Sequence, residues 1–281
     1  MIKEIAYSGV LLALSSSSII LASSIMLKIP IDPWILFAAF SVVFFTYNMN
    51  RWSETDLDIG SHPERTRFIV KHKKQIVLFS VLFGVIGLLI STKNVYSLIT
   101  YLFLVVWASA YNIKWIPKTE KLKIRSTKDI PLFKAAVPSI GWAALSSVYL
   151  AYFVGREVDI SIMLLFLFVF IRFFIDVTVF DIRDFENDKK NNVKTLPVVF
   201  GVEKTIKILH LLNLASFFVL AVPTYLGKFH KSAYYLAVFV SFLGIYYISK
   251  IDKQCDKNFL CDIVVDGAFI LWGLITYLGT F

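Results

Sequence analysis

The stretch that decides the fold is VDISIMLLFLFVFIRFFIDVTVFDIRDFENDKKNNVKTLPVVFG, residues 158–201. Its first half is overwhelmingly apolar over more than 18 residues, broken by charge only at Arg172 and Asp176, and is long enough to carry a helix across about 30 Å of hydrocarbon. The run shows no two-residue alternation, so it does not read as a barrel strand. Its second half emerges as a dense series of acids and bases, then closes on TLPVVFG. A hydrophobic span delivering carboxylates to one end is the unit from which the chain is built.

Similar apolar runs recur along all 281 residues, at about 5–27, 32–50, 75–92, 94–113, 132–154, 158–181, 203–225, 232–250 and 259–280. Hydrophobic residues make up 57% of the chain, charged residues 17%, and mean hydropathy is +0.70, which excludes an ordinary soluble domain. Lipid offers no partner to an open backbone. The expectation is therefore an all-α polytopic membrane protein with about nine transmembrane helices around a central cavity. Residues 1–281 read as one transmembrane domain of two four-helix halves plus a ninth helix, because related acidic patterns follow spans two and six. The first run follows Lys3 and is too long for a signal peptide's core, so it reads as the first span.

The bases set the orientation. Twenty-three of the 29 Lys and Arg fall at the N-terminus and in the loops after spans two, four, six and eight; five fall on the other side, and Arg172 lies inside span six. The positive-inside rule then places the N-terminus in the cytoplasm and the C-terminus outside. It also accounts for the net charge of +9 without nucleic acid, through the bilayer as partner. Cys255 and Cys261 sit too close together for a useful disulfide and form no zinc quartet, so both read as reduced thiols. The four histidines show no ligand spacing.

The end of span two reads TYNMNRWSETDLDIGSHPERTRF, residues 46–68. At 100° per residue, Asn50, Glu54 and Asp58 fall within about 80° of one another, with Asp56 turned away. At the end of span six, Asp176, Asp184 and Asp188 share an i, i+4 row, with Asp181 within about 60° of it. Two acidic rows in equivalent places would repel unless a cation lay between them. Hard oxygen donors without His or Cys suit Mg²⁺, which binds through carboxylates and phosphate oxygens. Arg65, Lys128 and Lys134 are placed to meet the phosphate charge. The ligand that joins these features is a lipid diphosphate, head at the cytoplasmic face and tail between helices.

In these motifs the sequence resembles the UbiA superfamily of intramembrane prenyltransferases. The family's first motif, NDxxDxxxD, is matched by residues 50–58, with Arg51 replacing the acid after Asn and Glu54 replacing the first Asp. Its second, DxxDxxxDxxxGxxTLPVxxG, is matched by Asp181, Asp184, Asp188, Thr195, Leu196, Pro197 and Gly201, with Asn192 at a frequent Gly. The resemblance implies two Mg²⁺ ions held by Asn50, Glu54, Asp58, Asp181, Asp184 and Asp188. Of these, Asp58, Asp184 and Asp188 are expected to be catalytic, with Arg65, Lys128 and Lys134 on the diphosphate. The implied reaction transfers an isoprenyl group from a prenyl diphosphate to an aromatic or other lipophilic acceptor. A cyclase of the same superfamily, or a transporter using the acids as an ion path, are the alternatives. Arg172 and Asp176 read as an ion pair inside span six, with proton handling the second reading. Asp262 and Asp266, at the start of span nine, either shape the acceptor end of the cavity or complement the helix dipole.

Overall fold

A computed structural model describes residues 2–53, 63–112, 130, 132–253 and 256–281. Helices occupy each of the nine apolar ranges, and among the described residues there is no strand. In chain order they are α1 (Ile2–Tyr7), α2 (Val10–Met26), α3 (Pro33–Ser53), α4 (Pro63–Lys71), α5 (Lys73–Ser91) and α6 (Val95–Asn112). There follow α7 (Phe133–Phe153), α8 (Ile160–Arg183), α9 (Phe185–Lys190), α10 (Leu196–Phe200), α11 (Val202–Tyr225), α12 (Ala233–Ile248) and α13 (Lys257–Leu278). Among the described residues, α5, α7, α8, α11 and α13 are long and apolar enough to cross a membrane, while α2, α6 and α12 are apolar but shorter. Glu54, Asp56, Asp58, Lys128 and Cys255 lie outside the described residues; Asp256, which is among them, caps α13 by accepting from the amides of Asn258 and Phe259.

Bulky apolar side chains such as Trp272, Phe168 and Ile20 fill the core, but α5 is packed inside out relative to a helix of a soluble bundle. On α5 the buried residues are Ser80, Gly84, Gly87 and Ser91, while Leu78, Leu82, Val85 and Leu89 are exposed. A Cβ on Gly87 would come within 2.6 Å of the Tyr101 hydroxyl and 2.8 Å of Ser41 Cβ, so α5 approaches α3 and α6 only because that position is bare. Small residues inward and large apolar residues outward are what lipid selects, since burying another Leu between helices gains nothing over leaving it in acyl chains. The pairing of α2 with α13 follows the same rule: Ser18 Oγ donates to Ile270 O (2.7 Å) and accepts from Gly273 N (3.0 Å).

The loops sort into two ends. At one end Lys93 pairs with Asp32 at 3.2 Å, Arg156 donates to Leu27 O at 3.1 Å, and Lys28 donates to Gly227 O at 3.2 Å. These contacts join the loops after spans one, three, five and seven. At the other end Arg51 donates to Tyr7 O at 2.9 Å, and Arg183 pairs with Asp262 at 3.0 Å. The acid-rich helix ends gather there.

Candidate active site

Backbone geometry places the acids of the second motif. Helix α8 stops at Arg183, Asp184 takes the turn, and α9 follows with Asp188; Asp184 N donates to Phe180 O at 3.0 Å and Asp188 N to Asp184 O at 2.9 Å through the turn. Asn192 closes α9 in the left-handed region at φ 57°, the conformation expected of a residue at a frequent Gly. Val193 N then donates to Asp188 O at 2.8 Å. Leu132, before α7, also has positive φ (67°), which costs a branched side chain on the order of 1–2 kcal/mol. The strain is held by Leu132 N donating to Lys194 O at 2.9 Å, which ties the start of α7 to the loop after α9.

That tie sets Lys134 among the carboxylates. Its ammonium lies 3.0 Å from Asp181 Oδ1 and 2.7 Å from Asp188 Oδ2. Both aspartates are buried. Burial pushes the Asp188 carboxyl above the usual carboxylate range, and the Lys134 ammonium opposes that shift. Asp184 faces another way: Arg183 grips it with two hydrogen bonds, of 2.8 and 3.0 Å, and holds Asp262 with its remaining arm. The acids expected to share one helical face thus take different partners. Asp181 and Asp188, seven residues apart, meet on Lys134, while Asp184 at the turn joins Arg183, and Asp176 lies deeper with partners of its own.

Beside this corner lies a cavity of about 350 Å³, lined from α2, α3, α4, α6, α7, α8 and α13. Asn50 and Arg65 line it, as does Tyr111, which is within electrostatic reach of Lys134. Its walls are otherwise mainly apolar, including Leu12, Val42, Leu104 and Leu145. A column of rings runs along one side: Trp142 stacks on Phe173 (4.5 Å, 11°), and Phe173 on Phe269 (4.3 Å, 3°). The π faces of such rings attract positive charge and exclude water. Arg51 also lines the cavity, lying over the Tyr47 ring at 4.0 Å and donating to the Tyr47 hydroxyl.

Of the residues expected at the site, Asp181, Asp188 and Lys134 meet directly, Asp184 adjoins them, and Asn50 and Arg65 face the neighbouring cavity. Glu54, Asp58 and Lys128 lie outside the described residues. Among the described residues no three His, Cys, Asp or Glu side chains form a metal-holding group by themselves. The donor chemistry nevertheless fits Mg²⁺: buried carboxylate oxygens, no soft ligand, and a seat that already holds a cation in the form of the Lys134 ammonium. Two members went unsingled in the sequence, Arg183 and the inward-facing Arg51; the departure of Arg51 from the motif was the available signal.

The model of the UbiA prenyltransferase family matches residues 10–260. No curated relative matches the sequence. Among solved structures, a UbiA homologue from Archaeoglobus fulgidus bound to GPP and Mg²⁺ is similar at 17% identity and TM-score 0.67, over 98% of this chain and 99% of that one. An apo UbiA homologue from Aeropyrum pernix K1 is similar at 11% identity and TM-score 0.69, over 100% and 98%. A digeranylgeranylglyceryl phosphate synthase is similar at 20% identity and TM-score 0.57, over 99% and 97%. At these identities the likeness shows a shared fold.

Proposed function

Because the chain belongs to the UbiA prenyltransferase family, we propose that it transfers an isoprenyl group, with Mg²⁺, from a prenyl diphosphate to an aromatic or other lipophilic acceptor within the membrane. The observation that carries this reading is a buried carboxylate pair closed around a cation beside an apolar, ring-lined cavity. Asp181, Asp184 and Asp188, with Asn50, Glu54 and Asp58 from the first motif, would hold two Mg²⁺ ions. When bound, those ions neutralise the leaving diphosphate and so ease rupture of the allylic C–O bond.

The protein's own groups do the rest. Arg65, Lys128 and Lys134 bind the diphosphate oxygens, and Lys134 is already poised at the carboxylates. Apolar walls take the isoprenoid tail. The Trp142–Phe173–Phe269 column faces the cationic carbon and keeps water from it. The site opens to the cytoplasm, with the N-terminus inside and the C-terminus outside.

Purified protein supplied with geranylgeranyl diphosphate tests the reading. Mg²⁺-dependent release of diphosphate is expected, stopped by EDTA and restored by Mg²⁺. Full activity in excess EDTA would remove the metal mechanism. A terpene hydrocarbon formed without any acceptor would assign the chain to the cyclases of the superfamily instead.

A further inference from the structure

Along the cavity face of α8 the lining residues are Phe173, Asp176, Val177 and Phe180, one helical stripe at i, i+3, i+4 and i+7. Three are apolar and one is a buried carboxylate. The pair formed by Asp176 with Arg172 is indirect: their side chains approach only to 4.0 Å, and the Tyr247 hydroxyl sits between them. That hydroxyl accepts from Arg172 Nη2 at 2.6 Å and donates to Asp176 Oδ1. Arg172 is braced in turn by Asn213, whose amide donates to Ser241 O at 3.0 Å. Both contacts to the carboxylate fall on Oδ1, and its side chain keeps 8% exposure in the cavity wall. An ion pair serving only packing gains nothing from standing in a cavity wall, and buried pairs are poor stabilisers compared with apolar residues of the same size.

We propose that Asp176 is a catalytic residue for the acceptor: it accepts a hydrogen bond from an acceptor hydroxyl and takes the proton released on prenylation. Tyr247 and Arg172 are positioning residues that hold its rotamer. The acceptor class is then a hydroxyl-bearing lipid or phenol. The inference rests on the prenyl-transfer reading. In the step, the allylic C–O bond breaks and its electron pair leaves on the diphosphate. A nucleophilic atom of the acceptor gives its pair to the allylic carbon. The proton that this atom, or its conjugated hydroxyl, must shed passes to the Asp176 carboxylate. The spacing suits the task. Eight residues separate Asp176 from Asp184, about 12 Å along a helix at 1.5 Å per residue. That leaves room for the diphosphate, the allylic carbon and an acceptor atom in van der Waals approach to it.

Radiolabelled geranylgeranyl diphosphate is added, with Mg²⁺, to membranes of the source organism carrying wild-type, Asp176→Asn or Tyr247→Phe protein. Diphosphate release and label in the lipid extract are followed separately. Asp176→Asn is expected to lower lipid labelling at least 100-fold, in the range that removing a general base costs. Diphosphate release should fall far less than lipid labelling, because the carboxylate takes no part in breaking the allylic C–O bond; the uncaptured cation then loses a proton to give a prenyl diene. Tyr247→Phe keeps the carboxylate and is expected to lower labelling about 10-fold at unchanged release, and it decides the matter if Asp176→Asn does not fold. Lipid labelling at the wild-type rate in the folded variant, or release and labelling falling together, overturns the assignment. Absence of Mg²⁺-dependent release by the wild type would instead overturn the prenyl-transfer reading.

Discussion

Replacing Lys134 by Met removes the cation between Asp181 and Asp188 while keeping the length of the side chain. The ammonium lies 3.0 and 2.7 Å from the two carboxylates, whose side chains are 3% and 7% exposed against 21% for the lysine. At an effective dielectric near 20 each contact is worth about 5–6 kcal/mol of Coulomb energy, most of it offset by desolvation. Removing one partner of such a buried group leaves the others uncompensated and costs about 3–5 kcal/mol. For a chain of this size that lowers Tm by roughly 10 °C. Thermal unfolding of the purified variant in EDTA should show this loss. Mg²⁺ should then restore more in the variant than in the wild type. In the variant the ion meets two bare carboxylates, and in the wild type it competes with a resident ammonium; saturation at 100 times Kd contributes about 2.7 kcal/mol. The variant should also bind prenyl diphosphate more weakly. Wild-type stability of Lys134→Met in EDTA, or equal stabilisation of both proteins by Mg²⁺, would refute the placement of the cation seat.

Asp184→Asn should separate chemistry from stability: the carboxylate is 29% exposed and its bond is to neighbouring Arg183, so unfolding should shift by no more than about 1 kcal/mol. Initial rates of transfer should nonetheless fall at least 100-fold, as they should for Asp58→Asn, and wild-type rates in both would remove these residues from the site. The orientation is checked by labelling intact cells with a membrane-impermeant maleimide. Lys93→Cys is expected to react from outside and Lys189→Cys only after lysis; the reverse pattern would invert the topology.

Hydrophobic run length made the helices legible, because a span must satisfy its own backbone wherever it occurs in the chain. The turn at Asn192 was legible too, since a left-handed residue has few candidates. What helical spacing did not carry was the direction of each acid. No Gly or Pro marks the turn at Asp184 in DIRDFENDKK, so the spacing reads as a single helix where the chain makes two. Partners far apart in sequence were equally silent. Arg183 finds Asp262 across 79 residues and Lys134 finds Asp188 across 54, and local spacing holds no term for either.

The polar residues inside the apolar spans carried information of a different kind. Arg172 and Asp176 in FIRFFIDVTVF are each expensive to insert, so the sequence alone required that they be satisfied inside the bundle. Their spacing suggested each other, and the structure adds what spacing cannot, the Tyr247 hydroxyl between them from a helix 71 residues away. A direct pair would have closed on itself and left the cavity wall neutral. Interposing a hydroxyl that both accepts and donates keeps the arginine 4.0 Å off the carboxylate, which stands on the face of α8 that lines the cavity. The hydroxyl and the nearby guanidinium together offset the cost of burying Asp176 there.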